Sequence, residues 1–417
     1  MEEYMLSYIT CKQINTVKLK GKNNFMSFLS TIFMGKRKSK YTLLIYMVGS
    51  DLESEYQEAS MNIKDLMKIG SSRHVNVILE TGGAKKWELD LISSERNQRW
   101  IVQKNNLKLI QDDEKRNMDT NEALSDFLIW GINQYPAEQY ILILWGHGLG
   151  SVDGYGGDEL YGNKAITLFT LQAALKEAFD ETKQKFNIIS FDACSMAGIE
   201  TAYSIRHYAD YLVASVDYTN RNGLDYKTII ESLQQVPTLS AKELGEVMVN
   251  SYRMYSKENG EKEDLQKGVI DLSKIDYIVE IVDSLGEKLL EDIEEHSKFN
   301  VIIEARNYSE EYGEEADMVD LADLVSHLDN RLNYKKEANA ICKAIEEAVI
   351  YNMKTPEHPK GKGISIYFPK HDENRFKEKS LIYQQNEFSL HYREFIKLYS
   401  EKLIKGENRN ENMYQGT

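Results

Sequence analysis

Residues 140–150 read Tyr-Ile-Leu-Ile-Leu-Trp-Gly-His-Gly-Leu-Gly. A short, almost wholly apolar run stops at a glycine-rich corner. Such a run is the mark of a strand buried on both faces. The glycines beyond it free backbone N–H groups and let another chain approach closely. The same pattern recurs on either side. Thr42–Val48 (TLLIYMV) stops at Gly49-Ser50-Asp51, and Val75–Leu79 (VNVIL) at Thr81-Gly82-Gly83. Asn187–Phe191 (NIISF) runs into Asp192-Ala193-Cys194, and Tyr211–Val216 (YLVASV) is a fifth such run. Helical spacing lies between them, at 55–69, Thr120–Tyr135 (capped by Asp119 or Thr120), Leu171–Lys185 and Met196–Tyr208. Apolar strands alternating with helices predict an α/β fold whose parallel sheet is covered on both faces. Trp87–Ile92 and Arg99–Val102 read as a hairpin around a polar turn.

The second half is richer in helix. Ala241–Tyr255, Ile275–His296 and Lys336–Met353 carry helical periodicity, while Gly268–Leu272 and Gly363–Phe368 read as strands. This predicts a catalytic-type core over 41–235, a C-terminal α/β part over 236–404 packing on it, and a frayed tail over 405–417. Residues 1–40 read as a flexible or surface-associating extension, with a weak apolar patch at Phe25–Met34 followed by Lys36, Arg37, Lys38 and Lys40. That order lacks the small-residue cleavage site of a secretory signal. No run reaches the roughly 18 apolar residues of a membrane helix.

Composition narrows the class further. The chain has 417 residues, 51 Lys+Arg against 66 Asp+Glu, and a net charge of -15. That balance disfavours a nucleic-acid binder and favours, weakly, cationic partners. Three cysteines, Cys11, Cys194 and Cys342, are too few for a disulfide scaffold. The spacing Gly146-x-Gly148-x-Gly150 does not match a dinucleotide loop, and no Gly-Lys-Ser/Thr accompanies it.

Function in an open parallel sheet collects at the carboxyl ends of its strands. The places to look are therefore those after Val48, Leu144 and Phe191. Two of them carry chemistry. His147 follows the Leu144 strand, and Cys194 follows the Phe191 strand just ahead of the helix expected from Met196. Taken singly, a cysteine beside apolar sequence reads as a small buried hydrophobe and a histidine as structural. Taken together, they sit at the same predicted edge as a nucleophile and base pair. A helix N-terminus behind Cys194 would lower its thiol pKa.

At these residues the chain resembles the clostripain family of cysteine peptidases, relatives of the caspases. The likeness is carried by Leu44–Ser50 (LIYMVGS) with Asp51-Leu52-Glu53, by Ile143–Gly148 (ILWGHG), by Asp192–Ala197 (DACSMA) and by Gly363–Pro369 (GISIYFP). It spans about residues 40–400. The resemblance implies a caspase-like α/β/α sandwich and endopeptidase activity after Arg or Lys. It makes His147 the general base and Cys194 the nucleophile of a dyad without an essential third carboxylate. The backbone N–H groups of Gly148 and Cys194 would form the oxyanion hole. Asp192 and Asp225 would receive the basic side chain, their alternative roles being a helix cap and a turn aspartate.

The resemblance also implies maturation by self-cleavage. Asp153–Ile166 (DGYGGDELYGNKAI) reads as an exposed, mobile loop whose one basic residue marks Lys164–Ala165 as the cut. No organic cofactor is implied. Calcium is a property of some relatives, but Glu310, Glu311, Glu314, Glu315 and Asp317 lack EF-hand spacing and read as a solvated acidic loop. A monomer acting on protein or peptide substrates is expected. Secretion or a surface location is suggested by the family alone. The alternative from another class is a catalytically quiet caspase-like module that binds basic peptides.

Overall fold

The computed structural model describes residues 38–261, 265–313, 316–370 and 373–414. The N-terminal extension up to residue 37, Cys11 included, lies outside them. Nine strands form the main sheet: β1 (Ser39–Val48), β2 (Val75–Gly82), β3 (Arg96–Gln103), β4 (Asn106–Glu114), β5 (Ala137–Trp145), β6 (Phe186–Asp192), β7 (Ala209–Ser215), β8 (Gln266–Asp271) and β9 (Val349–Lys354). Their spatial order is β9-β8-β7-β6-β5-β1-β2-β3-β4. The five central strands, β7-β6-β5-β1-β2, are parallel. An antiparallel pair borders them on each side.

β1 shows why the apolar runs belong in the middle. Its side chains alternate between two separate cores. Tyr41, Leu43, Ile45 and Met47 enter one, with Ile63 and Leu66 of the helix Glu58–Ile69, Ile229 of Tyr226–Gln235 and Met248 of Ala241–Glu258. Leu44, Tyr46 and Val48 enter the other, with Phe127 of Asn121–Gln134, Leu171 of Leu168–Thr182 and Val282 of Ile275–Asp292. A strand with helices on both faces has no polar face to show, so alternation vanishes from its sequence. The layers are therefore α/β/α. Local signals set the helix ends as expected. Thr120, rather than Asp119, accepts from the Ala123 N–H, and Ser240 with Glu243 forms a reciprocal capping box.

Several expectations change. Residues from Ser39 onward form one compact unit. β8 and β9 come from the second half yet extend the same sheet, so no boundary falls at 235. Val349–Met353, read as the end of a helix, is the edge strand β9. The hairpin is β3–β4, and Trp87–Ile92 lies in turns, with the Trp87 ring buried against Gly49. The last helix runs Leu390–Tyr414. Among the described residues no helix is long and apolar enough to cross a membrane.

Two small sheets flank the large one. His147–Gly148 pairs with Tyr155–Gly156, which pairs with Ala165–Ile166. Met318–Asp320 lies between Glu311–Tyr312 and Ser365–Tyr367, the late strand expected at Gly363–Phe368.

Candidate active site

Strand register sets the site. β5 and β6 run parallel with Trp145 opposite Asp192. The Gly146 N–H donates to the Asp192 carbonyl at 3.3 Å, tying the two ends together. His147 and Cys194 each lie two residues beyond that level pair. Both line one cleft at the carboxyl edge of the sheet, with Asp192, Glu58 and Thr219 also in its wall.

The two loops approach closely because residue 148 is glycine. A Cβ there would lie 1.9 Å from the Cys194 carbonyl oxygen and 2.7 Å from its nitrogen. The chain then turns sharply after the thiol. Ser195 holds a left-handed φ of 55°, uncommon for a residue with a Cβ, and its N–H donates to the Asp217 carbonyl at 3.0 Å. The expected helix begins only at Ile199, capped by Gly198. Cys194 is thus not at a helix N-terminus, and the field invoked from sequence does not act on it directly. Burial pushes its thiol up. The Thr219 N–H, donating to Sγ at 3.1 Å, opposes that by stabilising the anion.

His147 has a carboxylate partner that the dyad expectation omitted. Its Nε2 lies 2.7 Å from Asp51 Oδ1, in the short helix Ser50–Ser54 that follows β1. Burial works against the Asp51 carboxylate, but hydrogen bonds from His147 and Ser50 hold it below the usual range. An ionised carboxylate only accepts, so Nε2 carries a proton and donates to it, which in the neutral tautomer leaves the lone pair on Nδ1. The motif around Asp51 by itself assigns that residue no role. Its contact with His147 spans 96 positions of chain.

Asp192 is fully enclosed beneath the cleft. Its Oδ2 accepts from the Leu224 N–H at 3.0 Å and the Tyr226 hydroxyl at 2.8 Å, while Oδ1 has no hydrogen-bond partner. Burial pushes this carboxyl up, and nearby Lys267 is the first influence opposing it. Asp225 has a different task from the one expected. Its Oδ1 caps the helix Tyr226–Gln235 by accepting from the Thr228 N–H at 3.0 Å, and it does not line the cleft. The second acid at the cleft is Glu58, in the first turn of its helix, a position that carries no functional signal in the sequence. Its Oε1 accepts from Arg221 Nε at 2.9 Å, and the Arg221 guanidinium lies over the Tyr56 ring.

Asp153–Ile166 is not the open loop expected. Gly154–Asp158 is buried. Asp119 accepts from the Gly157 and Asp158 N–H groups at 2.9 and 2.6 Å, and burial pushes its carboxyl to about 6. The Tyr155 hydroxyl lies 2.9 Å from both the Tyr46 and Trp145 carbonyls. Only the tip, 161–164, is exposed, and Lys164 is in it. Ala165 already belongs to the ribbon that holds His147–Gly148.

The acidic stretch is not simply solvated either. Glu310 accepts from the Lys360 N–H at 2.8 Å beside buried His358, and Glu311 pairs with Arg306 and Lys370, each at 2.8 Å. Glu314 and Glu315 lie outside the described residues. Among the described residues no group of three His, Cys, Asp or Glu side chains is arranged to hold a metal ion.

Comparison with known proteins fits this arrangement. Residues 45–404 match the clostripain family. Clostripain from Hathewaya histolytica is 23% identical over 423 residues, covering 85% of this chain and 80% of that protein. An inactive zymogen C11 protease from Parabacteroides distasonis superposes with a TM-score of 0.63 at 21% identity, over 84% of this chain and 97% of that one. A secreted C11 cysteine protease from Bacteroides thetaiotaomicron, solved with an irreversible peptide inhibitor, gives 0.59 at 16% identity, over 84% and 99%. The sandwich is thus the caspase-like fold of these proteases. The chain belongs to the clostripain family and is a cysteine peptidase, a hydrolase of peptide bonds.

The contact between residues 148 and 194 yields a test. Gly148→Ala must displace the Cys194 main chain rather than a flexible side chain. A misplacement of about 1 Å costs about a hundredfold in rate. We expect kcat/KM on a cleaved peptide to fall at least that far while the far-UV circular dichroism stays unchanged.

Proposed function

We propose that the chain is an endopeptidase cutting after Arg or Lys, with Cys194 as nucleophile and His147 as base and acid. The observation that carries this reading is the shared cleft, where thiol and imidazole stand above a buried carboxylate with one uncommitted oxygen. The incoming basic side chain exchanges water for the Asp192 charge, an exchange that is favourable only if the ion is paired once desolvated. Glu58 adds a second acid at the rim, where Arg221 already engages it.

The reaction runs as acyl transfer. His147 Nδ1 takes the Cys194 proton, and the thiolate so formed bonds to the scissile carbonyl carbon. The carbonyl electrons move to oxygen, which the N–H groups of Gly148 and Cys194 receive. The imidazolium then protonates the departing amine as the C–N bond breaks, leaving a thioester. Water, deprotonated by His147, attacks that thioester and releases the new carboxylate and the thiol. Asp51 orients the ring and stabilises its cationic form, as the third group of such constellations does. Its half-exposed position makes that contribution modest.

Activation by cutting Lys164–Ala165 belongs to the same proposal. The bond lies at an exposed tip, next to a strand whose neighbour pairs with His147–Gly148. Cleavage there would release tension on the segment that carries the base.

Four experiments test these roles. Profiling a peptide library should give cuts after Arg or Lys only. Asp192→Asn should lower kcat/KM for them by about a hundredfold or more, as expected when a buried charge loses its partner. Cuts after neutral residues by the native protein would reject the specificity. Asp51→Ala should lower kcat/KM about tenfold to a hundredfold without abolishing turnover, and an unchanged value would remove its orienting role. N-terminal sequencing should find Ala165 as a new terminus in the active protein and not in Cys194→Ala. An intact chain with full activity would end the self-cleavage proposal.

A further inference from the structure

Selection of a basic side chain and attack by a thiolate make opposing demands on this cleft. The acid that selects, Asp192, lies two residues from the sulfur that attacks. Two anions so close in a poorly hydrated setting repel each other, and each disfavours the other's charged form. Among the described residues, one cation is placed to relieve this.

Lys267 lies on β8, opposite Ser215 of β7, and is 0% exposed. Its side chain reaches under β7 toward β6. Nζ is 3.4 Å from the carbonyl oxygen of Phe191, the residue before Asp192, and 4.7 Å from the centroid of the Tyr252 ring. A carbonyl and an aromatic face solvate an ammonium but do not neutralise it. A full charge buried on that support alone is strongly disfavoured, and an apolar side chain would fill the volume at lower cost. What makes the position intelligible is the pair of ionisable groups above it. Asp192 and Cys194 are the charges acting on Lys267. Burial pushes the ammonium down, and those two pull it back up. In turn Lys267 favours the charged form of both. The groups facing Cys194 from other elements are the His147 imidazole across the cleft, and the Thr219 N–H and Asp217 on the loop after β7, of which the Asp217 carboxylate opposes thiolate formation.

We propose that Lys267 is a positioning residue whose buried ammonium keeps the Asp192 carboxylate and the Cys194 thiolate charged together, so that one cleft can both select a basic side chain and attack its carbonyl. This rests on Cys194 being the nucleophile. The substrate cation then completes a charge arrangement already half balanced from below.

The test is the pH dependence of Cys194 alkylation by iodoacetamide in the full chain, with the labelled residue identified by peptide mass. In Lys267→Met the midpoint should rise by about one pH unit, the size of effect expected from a nearby charge. Below the midpoint the labelling rate should fall about tenfold. If Lys267→Met does not fold because Asp192 is left stranded, Lys267→Met/Asp192→Asn is compared with Asp192→Asn alone, and the double variant should again titrate higher. Equal midpoints in a folded pair, even with a lowered Tm, would overturn the proposal and leave a purely structural lysine. Failure of the underlying reading looks different: Cys194→Ala would then still turn over substrate.

Discussion

The molecule depends on the register between two neighbouring parallel strands. Trp145 pairs with Asp192 across β5 and β6, and the chain leaves each strand through a turn that only small or strained residues can make. Everything chemical is measured from that pair. The imidazole and the thiol each lie two residues beyond it along their own segments, and the acid proposed to select the substrate is itself one member of the pair. A slip of one residue would invert every side chain beyond it. Both strands are buried on both faces by two independent helical layers, so neither can slip without disrupting a core.

Around that fixed level the structure distributes charge unusually. Asp192 and Lys267 are both buried, a condition charged side chains tolerate only with partners. Asp192 takes two neutral donors on one oxygen and keeps the other uncommitted. Asp51 stays ionised at the rim beside the ring it orients. For the proposed reaction such an arrangement leaves little to reorganise when a peptide arrives. The ribbon Tyr155–Ile166 adds mechanical linkage: its buried half holds the base while its exposed tip carries the one lysine.

Much of this was legible beforehand. The five central strands, the glycine corner at 146–150 and the pairing of His147 with Cys194 follow from runs of apolar residues ending in small ones. Where reading failed, the causes were specific. Val349–Met353 was taken for helix because a short apolar segment next to a real helix has no period of its own. The segment after Asp153 looked open because glycines signal turns whether those turns are solvated or buried. Asp225 looked like a pocket acid because an aspartate before a helix can cap it or leave it, and sequence does not say which.

What the sequence by itself determined is the α/β layering and which two side chains are candidates for the proposed reaction. Apolar runs admit only one kind of environment, and few residue types can attack a carbonyl or carry its proton. What only the tertiary structure decided is the company those side chains keep. Asp51 beside His147, Glu58 at the rim, Thr219 against the sulfur and Lys267 beneath it come from four different segments. Each is an ordinary residue in its local context. Charge acts through space and not along the chain, so their meaning arises only when folding brings them within a few ångströms of the same cleft.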